Sequence, residues 1–276
     1  MGYEGLPRRR ALDLFDLEAL YGEQERVIRD AVRACVDDRV LPIIQQHYRA
    51  GTFPRQLVPE IATLGLLGAT LEDYGGAGVS PLAYGLIMQE LDRGDSAIRN
   101  FVSAQTSLVI NPIHAYGDQA QRERWLPGLI KGELIGCFGL TEPDFGSNPA
   151  GLRATARRDG ASFVINGTKR WITNGSIADL ALVFARDDDG RLAGFLVERG
   201  APGFETREIE GKLSLRASPT GELIFDDCRV PAENRLPGAV GLKPVLSTLS
   251  EARYGIAWGV VGAAKACFFE ALDYAG

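Results

Sequence analysis

Histidine, cysteine and methionine are scarce, with 2 His, 4 Cys and 2 Met in 276 residues. His47 and His114 stand in no Ser/His/Asp or metal-ligand pattern, so conventional nucleophile and zinc chemistry have no support. Cys35, Cys137, Cys228 and Cys267 are scattered without a CxxC pair, so neither a zinc site nor a disulfide framework is indicated, and a reducing, cytoplasm-like compartment fits best. Positive charge is not in excess: 30 Lys+Arg against 36 Asp+Glu leave a net charge of −6, with no electrostatic case for nucleic-acid binding. No run of eighteen apolar residues occurs; the longest candidate, 255–269, is interrupted by Lys265, and no membrane span is expected. Arg8, Arg9 and Arg10 are followed at once by Asp13, Asp16 and Glu18, against the acid-poor habit of transit peptides. Met1-Gly2 lacks a Ser or Thr at position 6, where Leu6 stands, so myristoylation is not indicated either. No secretion signal is read.

What is present is ordinary globular composition, 45% hydrophobic and 24% charged, in a chain long enough for two modest cores. Up to about residue 130 the apolar period is helical. Val27, Ile28, Ala31, Val32, Cys35, Val36 and Val40 recur near 3.6 spacing within 17–48, and Leu57, Ile61, Leu64 and Leu67 continue the stripe. Glu72-Asp-Tyr-Gly-Gly-Ala-Gly78 breaks it, and Ser80-Pro81 has the form of an N-cap followed by a first-turn proline. Two further helices are expected over 97–113 and 118–130. Near Leu134 the period becomes two. Asn166-Gly167 predicts a hairpin within 163–173, Asp187-Asp-Asp-Gly190 a second between 180–185 and 192–197, and 221–230 a further strand. The expected architecture is α+β: a helical domain at 1–133, a small β-barrel at 134–240, and at 241–276 the first helix of a helical bundle. That helix carries Trp258, Val261, Phe268 and Phe269, an apolar face that must dock, dimerise or stay exposed.

Two short stretches carry the chemistry. In Gly136-Cys-Phe-Gly-Leu-Thr-Glu-Pro-Asp-Phe-Gly-Ser147, small and turn-forming residues follow a short apolar run, so backbone N–H groups can approach a flat polar ligand. In Asn166-Gly-Thr-Lys-Arg-Trp-Ile-Thr-Asn174, an indole stands two residues from a threonine hydroxyl, as a wall with a donor beside it. Taken singly, either stretch reads equally as a turn leaving a strand. Jointly they resemble the flavin-binding signature of the acyl-CoA dehydrogenases. The segments Gly211-Lys-Leu-Ser-Leu-Arg-Ala-Ser218 and Ala252-Arg-Tyr-Gly-Ile-Ala-Trp-Gly259 are similar to the glutaryl-CoA dehydrogenase branch, and the likeness runs from about Phe15 to Ala275.

The resemblance implies FAD as cofactor, held by Phe138, Gly139, Leu140, Thr141, Gly146, Ser147, Trp171, Ile172 and Thr173. Trp171 would cover one ring face and Thr173 would donate toward the reactive flavin nitrogen. Ser147 would also touch the CoA side, where Asn148 replaces the family's usual Asp; Ser147 and Asn148 could instead simply cap the turn. Arg99 would read the distal carboxylate of a dicarboxylic acyl-CoA through paired N–H donors. Asn100 stands beside it in place of the branch's serine, leaving open which acid is read. Arg253 falls at a CoA- or acyl-facing position, with an inter-domain ion pair as the alternative. The resemblance places the usual catalytic glutamate beyond residue 276. Some distant members carry it at the position of Ala252, so Glu251, about 100° away around a helix, is the one candidate inside the chain. The expected reaction is α,β-dehydrogenation of glutaryl-CoA with loss of CO₂, by a chain incomplete for catalysis. A related enzyme acting on another carboxyl-bearing CoA ester, and a non-catalytic flavin- or acyl-CoA-binding module completed by a second chain, stay open. Electron-transfer flavoprotein as acceptor, a homo-oligomer, and a cytoplasmic or mitochondrial-matrix location are further implications.

Overall fold

Ser80 caps the central helix as its sequence predicts: the Ala83 N–H donates to Ser80 Oγ at 3.1 Å, and Pro81 takes the first turn, where its missing N–H is harmless. The structure, a computed structural model, describes residues 15–275; Met1-Gly2 and Arg8–Arg10 lie outside them. The helices are α1 (Glu23–Cys35), α2 (Leu41–Ala50), α3 (Val58–Thr63), α4 (Pro81–Gly94), α5 (Ser96–Ser103), α6 (Asn111–Tyr116), α7 (Gln119–Ile130) and α8 (Leu242–Ala275). π-helical turns at Val36–Val40 and Ala104–Ile110 join α1 to α2 and α5 to α6, so each pair runs on as one rod. A full capping box starts α7: Asp118 accepts from the Gln121 N–H, and Gln121 Oε1 accepts from the Asp118 N–H.

The β elements are β1 (Gly136–Gly139), β2 (Thr155–Asp159), β3 (Ser162–Thr173), β4 (Leu180–Arg186), β5 (Leu192–Glu198), β6 (Phe204–Glu208), β7 (Thr220–Pro231) and β8 (Arg235–Val240). They form one eight-stranded sheet in the order β6-β7-β3-β2-β4-β5-β8, with β1 branching parallel to β4. The hydrogen-bonded path stays open at β6 and β8, so the expected β region is present as a sheet rather than a ring of paired strands. The hairpin across Asp187–Gly190 forms as expected. Asn166-Gly167 does not turn the chain. It lies inside the continuous strand β3, where a register shift occurs opposite β7. The reason is a side-chain clamp: Asn166 Nδ2 donates to Asp227 Oδ1 (3.0 Å), while the Asp227 N–H donates to Asn166 Oδ1 (2.8 Å). The hairpin turn lies earlier, at Gly160 between β2 and β3.

Strand β4 is buried on both faces, and this decides how the layers join. Leu180, Leu182 and Phe184 enter the core shared with Phe101, Val109, Leu126 and Leu129 of the helices. Ala181, Val183 and Ala185 enter a second core with Phe163, Phe195 and Leu223.

Helix α8 lies across α4 on glycines. A Cβ on Gly262 would collide with the Gln89 carbonyl oxygen, and one on Gly85 would meet the Trp258 indole at 2.5 Å. The opposite side of α8 exposes Ile256, Val260, Val261 and Phe268. By length and composition this helix could cross a membrane, its most apolar 18-residue window having a mean hydropathy of 1.4. That is a statement of length and composition alone; six charged residues, Lys243, Glu251, Arg253, Lys265, Glu270 and Asp273, lie along its 34 residues. Gly262→Ala gains about 1 kcal/mol of helix propensity but must push the α4 and α8 backbones apart, so the expected result is a net loss of at least about 1 kcal/mol in urea unfolding. Val260→Ala, on the exposed side, should change stability by under about 0.5 kcal/mol.

Candidate functional site

Phe163, Ile165 and Lys169 share one parity along β3 and point into the same interior. Trp171 has that parity too, and an unbroken strand would bury it beside them. A bulge prevents this. Lys169 pairs with Leu223 and Ile172 with Gly221, so Arg170 and Trp171 together oppose the single residue Glu222. Ile172 takes the inward place, and Trp171, with φ at 62°, is turned out with 56% of its surface exposed. A bulky residue held at positive φ is strained backbone, a device that clusters at functional sites. The Arg170 guanidinium lies 5.3 Å from the indole centroid and pairs with Glu222 at 3.3 Å.

A buried ion pair ties this bulge to the loop after β1. Lys169 Nζ, fully buried, donates to Glu142 Oε1 at 2.8 Å and to the Leu140 carbonyl at 3.2 Å. Glu142 also accepts from the Arg153 N–H (2.7 Å) and the Ala154 N–H (2.9 Å), so no carboxylate oxygen is left unpaired. Burial pushes the Glu142 carboxyl upward, but the Lys169 ammonium and the two N–H donors outweigh it and hold the group below its usual range. Burial lowers the Lys169 ammonium from its ordinary value, with Glu142 opposing. The Arg170 N–H donates to the Thr141 carbonyl at 2.8 Å, closing the loop onto the strand.

Between loop and bulge lies a cavity of about 160 Å³ lined by Phe138, Leu140, Thr141, Trp171, Ile172 and Thr173, with Ala104, Leu108 and Leu249 from the helices. Phe138 and Leu140 give an apolar floor, Trp171 a flat wall, and two threonines the polar contacts, the composition of a small-molecule site. The Thr173 hydroxyl accepts from Asn100 Nδ2 at 3.1 Å, and the same Nδ2 donates to Ser218 Oγ at 3.0 Å. A second cleft of similar volume is lined by Pro143, Asp144, Phe145, Arg153 and Thr168 and by none of the residues around Trp171; there the Arg153 guanidinium lies 5.1 Å from the Phe145 ring centroid.

The remaining predicted residues are spread more widely. Gly139 is buried in β1, with Leu223, Val183 and Lys169 around its α-carbon. Gly146 and Ser147 are exposed at the loop tip and line neither cavity. Arg99 is buried, its Nε donating to Asp92 Oδ2 at 2.7 Å, while Ser96 Oγ donates to the other Asp92 oxygen. Gly259 of α8 passes directly over this pair. Arg253 is exposed on α8. Glu251 accepts from Asn111 Nδ2 at 2.9 Å and does not line the cavity, and Ala252, not Glu251, is the buried neighbour. Sequence reasoning missed Lys169, Glu142, Asp92 and Ser218. Only Lys169 had a signal, its parity with Phe163 and Ile165; the others depend on contacts across dozens of residues.

The helices and sheet define an α+β protein with a small flat-walled cavity between its layers. The acyl-CoA dehydrogenase N-terminal domain model matches residues 22–133 and the acyl-CoA dehydrogenase middle domain model residues 137–228. The chain is 37% identical to mouse short-chain specific acyl-CoA dehydrogenase, mitochondrial, over 98% of its own length and 69% of that protein's. It also superposes on a glutaryl-CoA dehydrogenase from Mycobacterium smegmatis in complex with FADH2 (TM-score 0.90, 51% identity), covering 92% of this chain and 66% of that one. A glutaryl-CoA dehydrogenase–glutaryl-CoA complex gives a TM-score of 0.87 at 34% identity, covering 92% and 67%. This chain belongs to the acyl-CoA dehydrogenase family, whose members are FAD-dependent oxidoreductases. It spans about two thirds of the length of these relatives.

Lys169→Met leaves Glu142 buried without its counter-charge and should cost about 3–5 kcal/mol in urea unfolding. Because the folded Glu142 carboxyl lies below its ordinary value of 4.5, the unfolded chain binds that proton first. The contribution is therefore complete above about pH 4.5 and is lost as pH falls through the lower folded value. Glu142→Gln should flatten the acid limb of a stability–pH curve.

Proposed function

We propose that this chain forms the flavin face of an FAD-dependent acyl-CoA dehydrogenase, of the type that acts on a dicarboxylic acyl-CoA such as glutaryl-CoA. The observation that carries the reading is the exposed indole of Trp171, held out by a bulge next to the Thr173 hydroxyl, over an apolar floor. A flat ring with an acceptor at its edge fits this arrangement. The cavity of about 160 Å³ is below the ~300 Å³ at which ligand pockets begin, so it would enclose only a portion of the ring. FAD, when bound, supplies a hydride acceptor for the β-carbon of the thioester. Trp171 stacks against the ring, Phe138 and Leu140 exclude water beneath it, and the Thr141 and Thr173 hydroxyls meet its polar edge. A donor fixed by the fold needs no reorganisation as negative charge develops there.

For the substrate, Arg99 is the proposed reader of a distal carboxylate. Its Nε is committed to Asp92, which leaves Nη1 and Nη2 to form a fork toward an acid. The 51% identity to a glutaryl-CoA dehydrogenase structure favours this over the short-chain acyl-CoA specificity in the mouse relative's name, which stands at 37% identity. Gly146, Ser147 and Arg253, exposed on the same molecule, are left as contacts for the CoA portion. No carboxylate lines the cavity among the described residues, so the base that removes the α-proton is assigned to a region of the enzyme outside this chain. Decarboxylation and transfer of electrons to an electron-transfer flavoprotein belong to the complete enzyme in this reading. The exposed apolar side of α8 favours a second reading: a flavin- or acyl-CoA-binding module completed by another chain.

Purification with excess FAD should give visible flavin absorbance co-eluting with the protein on gel filtration, and Trp171→Ala should remove most of it. Aggregated protein without flavin would contradict the reading for this chain alone; a defined oligomer that keeps flavin but bleaches with no acyl-CoA would favour the module. Arg99→Lys retains a charge for Asp92 but loses the fork. It should weaken glutaryl-CoA binding about tenfold, ~1.4 kcal/mol, and butyryl-CoA under about twofold; equal losses would remove Arg99 as the carboxylate reader.

A further inference from the structure

Asn100 and Arg99 are neighbours on α5 but serve different layers. Arg99 turns to Asp92 beneath α8, whereas Asn100 reaches the end of β3 and the segment before β7. Its single carboxamide nitrogen directs both hydrogens to hydroxyl oxygens, Thr173 Oγ1 at 3.1 Å and Ser218 Oγ at 3.0 Å. Ser218 is buried, so this second bond fixes the plane of the carboxamide. Thr173 Oγ1 is thereby engaged as an acceptor, and its one hydrogen is free to point elsewhere. Thr173 lines the cavity two residues beyond Trp171, on the same outward side of the bulge.

We infer that Asn100 is a positioning residue that sets the Thr173 hydroxyl as a donor into the cavity, toward the flavin edge. The inference rests on the proposed flavin reading and reassigns Asn100 from substrate contact to control of the cofactor's environment. A hydroxyl that accepts from an amide is a stronger donor than an isolated one, because hydrogen bonds in a chain polarise each other. A donor at a flavin-edge atom that gains negative charge on reduction stabilises the reduced state more than the oxidised one. Thr173 is therefore directed toward such an atom, and not toward the nitrogen that takes the hydride and itself becomes an N–H donor. The carboxamide therefore raises the potential of bound FAD through Thr173, without touching it. Were the carboxamide turned over, both hydroxyls would donate to its oxygen, and Thr173 would have no hydrogen left for the cavity.

The test is a double-mutant cycle on FAD-loaded protein, read as the two-electron flavin potential from dye titration. Asn100→Asp offers only acceptors and would capture the Thr173 hydrogen. The expected result is an approximately tenfold fall in the affinity ratio for reduced over oxidised FAD, ~30 mV in potential. Asn100→Ala should lower it less, and Thr173→Val should lower it by itself. On the Thr173→Val background, Asn100→Asp should add under about twofold. An equal shift on both backgrounds would mean that the new carboxylate acts by charge alone, and it would overturn the inference. So would an unchanged potential in both Asn100 variants while Thr173→Val shifts it, an outcome that leaves the flavin reading intact. Failure of the unmutated chain to hold FAD defeats the flavin reading itself, and the inference with it.

Discussion

One extra residue in β3 decides what this molecule presents to a ligand. Between Lys169 and Ile172 two residues face one on β7, and the alternation of the strand slips by one. Upstream of the slip, Phe163, Ile165 and Lys169 face inward; downstream, Ile172 does. Trp171 and Thr173 are left together on the cavity side, an exposed indole beside a hydroxyl that accepts from Asn100. The slip is held in place by the Lys169–Glu142 pair, which anchors the loop after β1 to the strand just before the bulge. A buried pair of this kind adds little stability against an apolar replacement, but it fixes geometry, since neither charge can move without losing its partner.

The helices divide their work in the same way. α5 carries Arg99 to one side, into a pair with Asp92, and Asn100 to the other, into contact with β3 and the segment before β7. The substrate-reading and cofactor-facing roles proposed here thus start from adjacent residues on one short, well-buried helix. α8 closes over Arg99 only because Gly259 and Gly262 let it approach, so packing and site share the same glycines.

Much of this was legible in the sequence, and the failures have physical causes. Ser80-Pro81, Asp187–Gly190 and the switch of period near Leu134 report local conformational preferences, and the structure follows them. Asn166-Gly167 misled because its turn preference was overridden by a two-way clamp to Asp227, sixty-one residues away. The role of Trp171 as a wall comes from a motif, whereas strand alternation alone would bury it. Glu251 looked available as a base by position, yet its carboxylate is engaged by Asn111 from α6. Contacts of that range leave no trace in spacing or periodicity.

Hydrogen exchange at the Arg170 amide, in protein free of flavin, tests most directly whether the frame exists before any ligand arrives. That N–H is bonded to the Thr141 carbonyl at 2.8 Å and belongs to the first residue of the bulge, next to Lys169 of the ion pair. The account predicts protection close to that of the β4 core amides, with loss of protection at Arg170 but not in β4 when Lys169 is replaced by Met. Fast exchange in the unmutated chain would contradict it, because the wall and its donor would then be assembled by the ligand rather than by the fold.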